Sequence, residues 1–152
     1  MKKLKRVEQQ LETKSLKKKP EYSLLKNVPK RLPSLSRAYF MTKIVSRVGF
    51  DWPDISGILD KLDEEMKEFR EALNLQDRKR ICEEIGDLLF VLANIARFLR
   101  IDPEEALNKT LEKFTERFNY IETKLRQEGK TLQESNLIEM DRLWEEAKKK
   151  DN

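Results

Sequence analysis

Residues 54–99, DISGILDKLDEEMKEFREALNLQDRKRICEEIGDLLFVLANIARFL, decide how this chain is read. Ile58, Leu59, Leu62, Met66, Phe69 and Leu73 recur close to i, i+3, i+4, i+7, which predicts a helix from Pro53 or Asp54 to about Asn74. Lys61, Glu65, Glu68 and Ala72 make a second row along one flank of that stripe. After a short turn over Leu75–Asp77, a further helix is predicted over about Arg78–Leu99. Its apolar residues point nearly all round, the pattern of a buried central helix. The two helices carry two acidic pairs, Glu65/Glu68 and Glu84/Asp87. Each pair has i, i+3 spacing, so its carboxylates share one helix face.

The two pairs do not weigh equally. Glu and Lys decorate most exposed helix faces, so the acids of LDEEMKEFREAL say little by themselves, and Glu64, Glu71 and Glu83 are read as solvent-facing. The second pair sits among Leu88, Val91, Ile95 and Phe98, with Arg80 on the same side. Ionised carboxylates on such a helix cost several kcal/mol each if left unpaired. Two compensations are open: a divalent metal gathered by the four carboxylates, or an internal salt-bridge network through Arg80 or Lys113. Gly86 inside the same helix costs ~1 kcal/mol against Ala, tolerable where another backbone approaches closely.

Outward from this centre every element reads as a helix. Upstream, Ser34–Val48 shows helical periodicity through Leu35, Ala38, Tyr39, Met41, Thr42 and Val45, with Gly49 placed as a C′ residue. Phe50-Asp51-Trp52-Pro53 forms a turn. Residues 1–19 read as a weakly anchored polar helix, and Pro20 to Pro33, with three prolines, as a linker. Downstream, Asp102 as N-cap and Pro103 at N1 open a helix that runs to about Glu128 and stops at Gly129. Its apolar face is Leu107, Leu111, Phe114, Phe118, Ile121 and Leu125, flanked by a basic ridge of Lys109, Lys113 and Arg117. Thr131 and Glu134 resemble a capping box opening a last helix that carries Leu132, Leu137, Ile138, Met140, Leu143 and Trp144. The organisation expected is a basic segment and linker over 1–30 and one all-α domain over 31–150.

Composition narrows the chemistry. The chain has 152 residues, no histidine and one cysteine, Cys82. Imidazole catalysis, histidine-ligated zinc and thiolate clusters are thereby excluded, leaving oxygen ligands and hard cations such as Mg²⁺ or Mn²⁺. No long apolar run and no secretory h-region occur, so a cytoplasmic protein without a membrane partner is expected. The net charge of +4 gathers at the two ends, Lys2–Lys19 and Lys148–Lys150, and no nucleic-acid-binding motif accompanies it. Nucleic acid is not expected as a partner.

Four carboxylates bring more negative charge than one Mg²⁺ neutralises, which favours two or more ions. Metal beside Lys61, Arg80, Lys113 and Arg117 suits an anionic, oxygen-rich ligand, above all a polyphosphate. No Gly-rich G-x-x-x-x-G-K-[ST] loop is present, so P-loop chemistry is excluded, and metal-assisted hydrolysis of a phosphoanhydride follows.

Here the residues meet a known pattern. Glu64-Glu65-Met66-Lys67-Glu68 followed by Glu84-Ile85-Gly86-Asp87 gives E-E-x-x-E and E-x-x-D, which resembles the MazG-type nucleoside triphosphate pyrophosphohydrolases. LPSLSRAYFMTKIVSRVGFDWPD, EEIGDLLFVLANIARFLRIDPEEAL and KFTERFNYIE are similar to the C-terminal catalytic domain of that family, over roughly residues 23 to 147. The resemblance implies an all-α NTP pyrophosphatase helical bundle that dimerises through its helices or assembles further. It implies hydrolysis of an NTP or dNTP to NMP or dNMP plus pyrophosphate, with water attacking the α-phosphorus. Glu65, Glu68, Glu84 and Asp87 would be the catalytic Mg²⁺ ligands. Lys61, Arg80, Lys113, Arg117 and Trp144 would contact the nucleotide, although Trp144 on periodicity alone also reads as core. Glu64 and Glu68 are the candidate bases for the water, and the base pocket would use apolar and amide residues such as Asn94. Residues 1–30 resemble the end of a preceding domain and its linker.

Overall fold

A computed structural model describes residues 23–150, so the helix expected over 1–19 lies outside the described residues. Five α-helices follow one another: α1 Ser34–Ser46, α2 Ile55–Asn74, α3 Arg78–Phe98, α4 Pro103–Gln127 and α5 Leu137–Lys148. Two single-turn 3-10 helices, Leu24–Asn27 and Leu132–Glu134, complete the set, and there is no strand among the described residues. The fold is all-α, as expected. Among the described residues no helix is long and apolar enough to cross a membrane.

Helix starts follow the polar residues that precede them. Asp54 accepts from the Ser56 N–H at 2.9 Å, Asp77 from Lys79 and Arg80 N–H at 3.1 Å, and Asn136 from Glu139 N–H at 3.0 Å. Asp102 does the same for Glu104 and Glu105. Each side chain satisfies backbone donors that have no intrahelical partner. Helix α1 differs, because the side chain of Pro33 carries no hydrogen-bond acceptor. Its Ser36 N–H instead donates to Glu104 Oε1 at 3.1 Å, a cap supplied from the first turn of α4. Glu134 accepts from Thr131 N and Oγ1 at 2.8 Å, but the turn it closes is 3-10, and the α-helix begins only at Leu137 behind its own Asn136 cap.

The ends of α1 to α4 share one device. The N–H of Phe50, Asp77, Ile101 and Lys130 bonds the carbonyl five residues back, and the residue before each has positive φ. Gly49 and Gly129 take that position at no steric cost, whereas Gln76 (φ 53°) and Arg100 (φ 58°) hold it as L-residues.

The chain divides into two compact units, one ending at Ala106 and one beginning at Leu107, so the boundary falls within α4. In the first unit α3 is central, packing against both α1 and α2. The segment expected as a linker ends in this unit: Val28 is buried with Tyr39 and Phe40, and Leu32, Met41 and Ile44 pack around them. In the second unit Ile121, Leu125 and Leu143 form the core, with Phe118, Leu132, Met140 and Trp144 against it.

Two expectations about burial need correction. Helix α3 is central but not enclosed. Ile85, Leu89, Phe90 and Leu92 stay 43–49% exposed, because α1 and α2 cover only part of its circumference. Likewise Leu107, Leu111 and Phe114 on α4 are exposed, whereas Ile121 and Leu125 in its C-terminal half are buried with Leu143 of α5. Gly86 has no heavy atom within 4 Å of where a Cβ would stand, so the close backbone approach expected there is not observed.

Candidate metal and phosphate site

Helices α2 and α3 bring three carboxylates together. Ligand oxygens of Glu65, Glu84 and Asp87 all lie within 4.8 Å of one another. Glu68, the fourth candidate, stands one turn beyond Glu65 and outside this group, half-exposed. Burial divides the acids differently from the sequence expectation, which favoured the second pair over the first. Glu65 is 5% exposed and Glu84 7%, while Asp87 is exposed. Each pair contributes one inward and one outward member because α2 and α3 face each other along Glu65 and Glu84, and a residue three positions on is rotated by about 60°.

The donor set fits a divalent cation. All three groups offer oxygen, two are held by the helix–helix interface, and opposite ligands around Mg²⁺ stand about 4.2 Å apart, around Ca²⁺ about 4.8 Å.

Two cations occupy the flanks. Lys61 Nζ lies 2.7 Å from Glu65 Oε1 and 2.9 Å from Glu64 Oε1. The hydrogen bond to Glu65, then that to Glu64, holds the Lys61 ammonium well above its ordinary range. Arg80 Nε lies 3.4 Å from Glu84 Oε1. Both basic residues expected on these helices are therefore beside the acids, and the salt bridge foreseen between Arg80 and Glu84 is present.

The other three expected nucleotide contacts lie in the second unit. Lys113 and Arg117 stand one turn apart on α4, and Arg117 lies over the Trp144 ring at 5.5 Å from its centroid. Trp144 also packs on the Ile121–Leu125–Leu143 core and on Phe114, at 5.2 Å between ring centroids. The core reading of Trp144 thus holds for one part of its ring, while Arg117 takes the face.

The first unit gathers Asn94, named above for a base pocket, with apolar side chains and with an arginine–carboxylate fork that the sequence expectations do not contain. A cavity of about 200 Å³ is lined by Met41, Val45, Phe50, Trp52, Phe90 and Asn94. Arg97 closes one side: its Nη1 and Nη2 donate to Asp51 at 2.7 and 2.6 Å, and its Nε donates to Asn94 Oδ1 at 2.9 Å. That fork holds the Asp51 carboxyl below its ordinary value. Trp52 lies against Gly57, where a Cβ would overlap the indole. The signal available in the sequence was an arginine three residues after Asn94, the one charged residue among 88–98.

The family model described as MazG nucleotide pyrophosphohydrolase domain matches residues 55–121. Over 117 residues the chain is 44% identical to the nucleoside triphosphate pyrophosphohydrolase/pyrophosphatase MazG of Thermotoga maritima, covering 77% of this chain and 45% of that protein. It is 35% identical over 147 residues to a nucleoside triphosphate pyrophosphohydrolase of Escherichia coli, covering 94% of this chain and 55% of that one. A Bacillus subtilis protein named YabN is 48% identical over 129 residues, 84% of this chain and 26% of its own length. The chain spans about half the length of the first two relatives. All three convergent carboxylates, with Lys61 and Arg80 beside them, fall inside the matched segment, so residues 55–121, which carry the site, are a MazG nucleotide pyrophosphohydrolase domain.

Proposed function

We propose that the chain is a Mg²⁺-dependent nucleoside triphosphate pyrophosphohydrolase, converting an NTP or dNTP to the monophosphate and pyrophosphate by water attack at the α-phosphorus. The convergence of Glu65, Glu84 and Asp87 carries this reading. The names of the Thermotoga and Escherichia relatives support the reaction class. A divalent cation at these carboxylates, with Glu68 one turn away as a further ligand, supplies a more acidic water and screens charge on phosphate oxygens.

The chain's own residues do the rest. Lys61 binds phosphate as a point charge and Arg80 through its forked donors, as do Lys113 and Arg117. Trp144, with Arg117 over it, offers a face to the nucleotide. The nucleoside end is assigned to the cavity beside Asn94. Asp87, Phe90 and Asn94 follow one face of α3, and seven residues advance about 10 Å along a helix, a length that sugar and base bridge. Exposed Ile85, Leu89 and Leu92 on α3, with Leu107 and Leu111 on α4, support a homodimer or larger homo-oligomer.

A pyrophosphate-release screen across NTPs and dNTPs with Mg²⁺ and Mn²⁺ tests this. Pyrophosphate is expected, and it is lost in Glu65→Gln and Asp87→Asn with the fold intact. Orthophosphate release would overturn α–β cleavage. One observation favours a second reading, a helical interaction module: both buried acids already have a cationic partner, Lys61 or Arg80. That reading requires that Mg²⁺, with or without nucleotide, leave the melting temperature unchanged.

A further inference from the structure

Lys61 and Arg80 share an arrangement that the reaction as proposed does not use. Lys61 bridges Glu65 at 2.7 Å and Glu64 at 2.9 Å. Arg80 bridges Glu84 at 3.4 Å and, through Nη2, Glu71 Oε2 at 3.7 Å. The Glu65 and Glu84 side chains are 7% and 9% exposed, whereas those of Glu64 and Glu71 are 57% and 50% exposed. Each cation therefore spans one buried carboxylate of the convergent site and one exposed carboxylate outside it. Glu64 and Glu71 are the acids that helical patterning alone assigns to solvent.

A divalent cation and a basic side chain compete for the same oxygens. Once the metal takes Glu65 and Glu84, it also repels the Lys61 ammonium and the Arg80 guanidinium, whose long stems have ample rotameric freedom. A side chain released to solvent has to be ordered again before it can meet a phosphate. The second carboxylate removes that need, because it keeps the cation on the rim of the site while the first is surrendered.

We propose that Glu64 and Glu71 are positioning residues, which retain Lys61 and Arg80 beside the site when a divalent cation takes Glu65 and Glu84, so that both meet the phosphates of an incoming nucleoside triphosphate. The inference rests on the pyrophosphohydrolase reading, and it makes a prediction opposite in sign to simple charge. Glu64→Gln or Glu71→Gln removes a negative charge close to where a polyanion binds, which by Coulomb's law alone strengthens binding. Loss of a tether weakens it.

The test is calorimetric binding of an α,β-methylene NTP with Mg²⁺ to the full chain, its Glu64→Gln and Glu71→Gln variants, and the Lys61→Met and Lys61→Met/Glu64→Gln proteins. Each single Gln variant is expected to weaken binding about three- to fivefold, the scale of an exposed ion pair. KM should rise in step with kcat little changed, and Glu64→Gln should weaken nothing further once Lys61 is gone. Tighter binding in the Gln variants would overturn the proposal and leave these acids as surface charge. A fall in kcat with unchanged affinity would overturn it too, and make Glu64 a base for the water. If the unsubstituted chain binds no analogue and cleaves no nucleotide, the pyrophosphohydrolase reading itself fails and takes this one with it.

Discussion

Replacing Arg97 by Met separates the fork's contribution from that of the arginine stem, whose apolar volume Met largely keeps. The Arg97 side chain is 8% exposed and ends on Asp51, whose side chain is 25% exposed. Removing one partner of a buried ion pair costs about 3–5 kcal/mol, and partial hydration of Asp51 brings that down to about 2 kcal/mol. Asn94, only 3% exposed, also loses the donor to its Oδ1, which adds about 1 kcal/mol. The expected loss is therefore about 3 kcal/mol by urea denaturation at pH 7. A cycle with Asp51→Asn should return about 2 kcal/mol as coupling. The pH dependence fixes the sign independently. Arg97 holds the folded Asp51 carboxyl below its ordinary 3.8, so the stabilisation is present above that value and disappears as pH falls through the lowered one. The stability gap between the unsubstituted chain and Arg97→Met should be level from neutrality down to about pH 5 and narrow below about pH 4. A loss under about 1 kcal/mol, or a gap that widens in acid, would refute the assignment of this fork as the clamp between the Phe50–Pro53 turn and α3.

Four further substitutions read other local features. Gln76→Gly and Arg100→Gly should each stabilise by about 1 kcal/mol, seen as higher melting temperatures, because both residues hold positive φ at helix ends. Gly57→Ala should displace Trp52, costing about 1–3 kcal/mol, with a shift of indole emission followed in a Trp144→Phe background. Glu104→Ala should cost about 1 kcal/mol in chemical denaturation by uncapping Ser36 at the start of α1.

The helices were legible because their signals are local. Apolar recurrence at 3.6 residues, with Asp102 and Pro103 at the start of α4, fixed α2, α3 and α4 to within a residue or two. What periodicity does not carry is which neighbour covers a face. Ile85 and Leu89 read as interior on an apolar helix, yet α1 and α2 leave them open. For the same reason the sequence ranked Glu84/Asp87 above Glu65/Glu68, whereas burial follows the α2–α3 contact and selects Glu65 with Glu84. Long-range partners such as Asp51 with Arg97, or Glu104 with Ser36, leave no trace in spacing, because 46 and 68 residues separate them.

Asp87 shows most directly what the site does to the fold. Its oxygen lies within 4.8 Å of those of Glu65 and Glu84, and like charges at that spacing repel by ~3.5 kcal/mol at an effective dielectric of 20. Lys61 and Arg80 offset the charge of the two buried members, but among the described residues no ion pair reaches Asp87. Because Asp87 is exposed, water screens most of the repulsion and leaves about 1 kcal/mol. Asp87→Asn keeps the shape, removes the charge, and should therefore raise stability by about that amount without divalent metal, read by urea denaturation in chelator. The same substitution should abolish the stabilisation by Mg²⁺ that the proposed site predicts for the unsubstituted chain. A structural acid behaves in the opposite way, destabilising when neutralised and indifferent to Mg²⁺. The two outcomes together would assign Asp87, placed where two buried carboxylates already converge, to a ligand rather than to the fold.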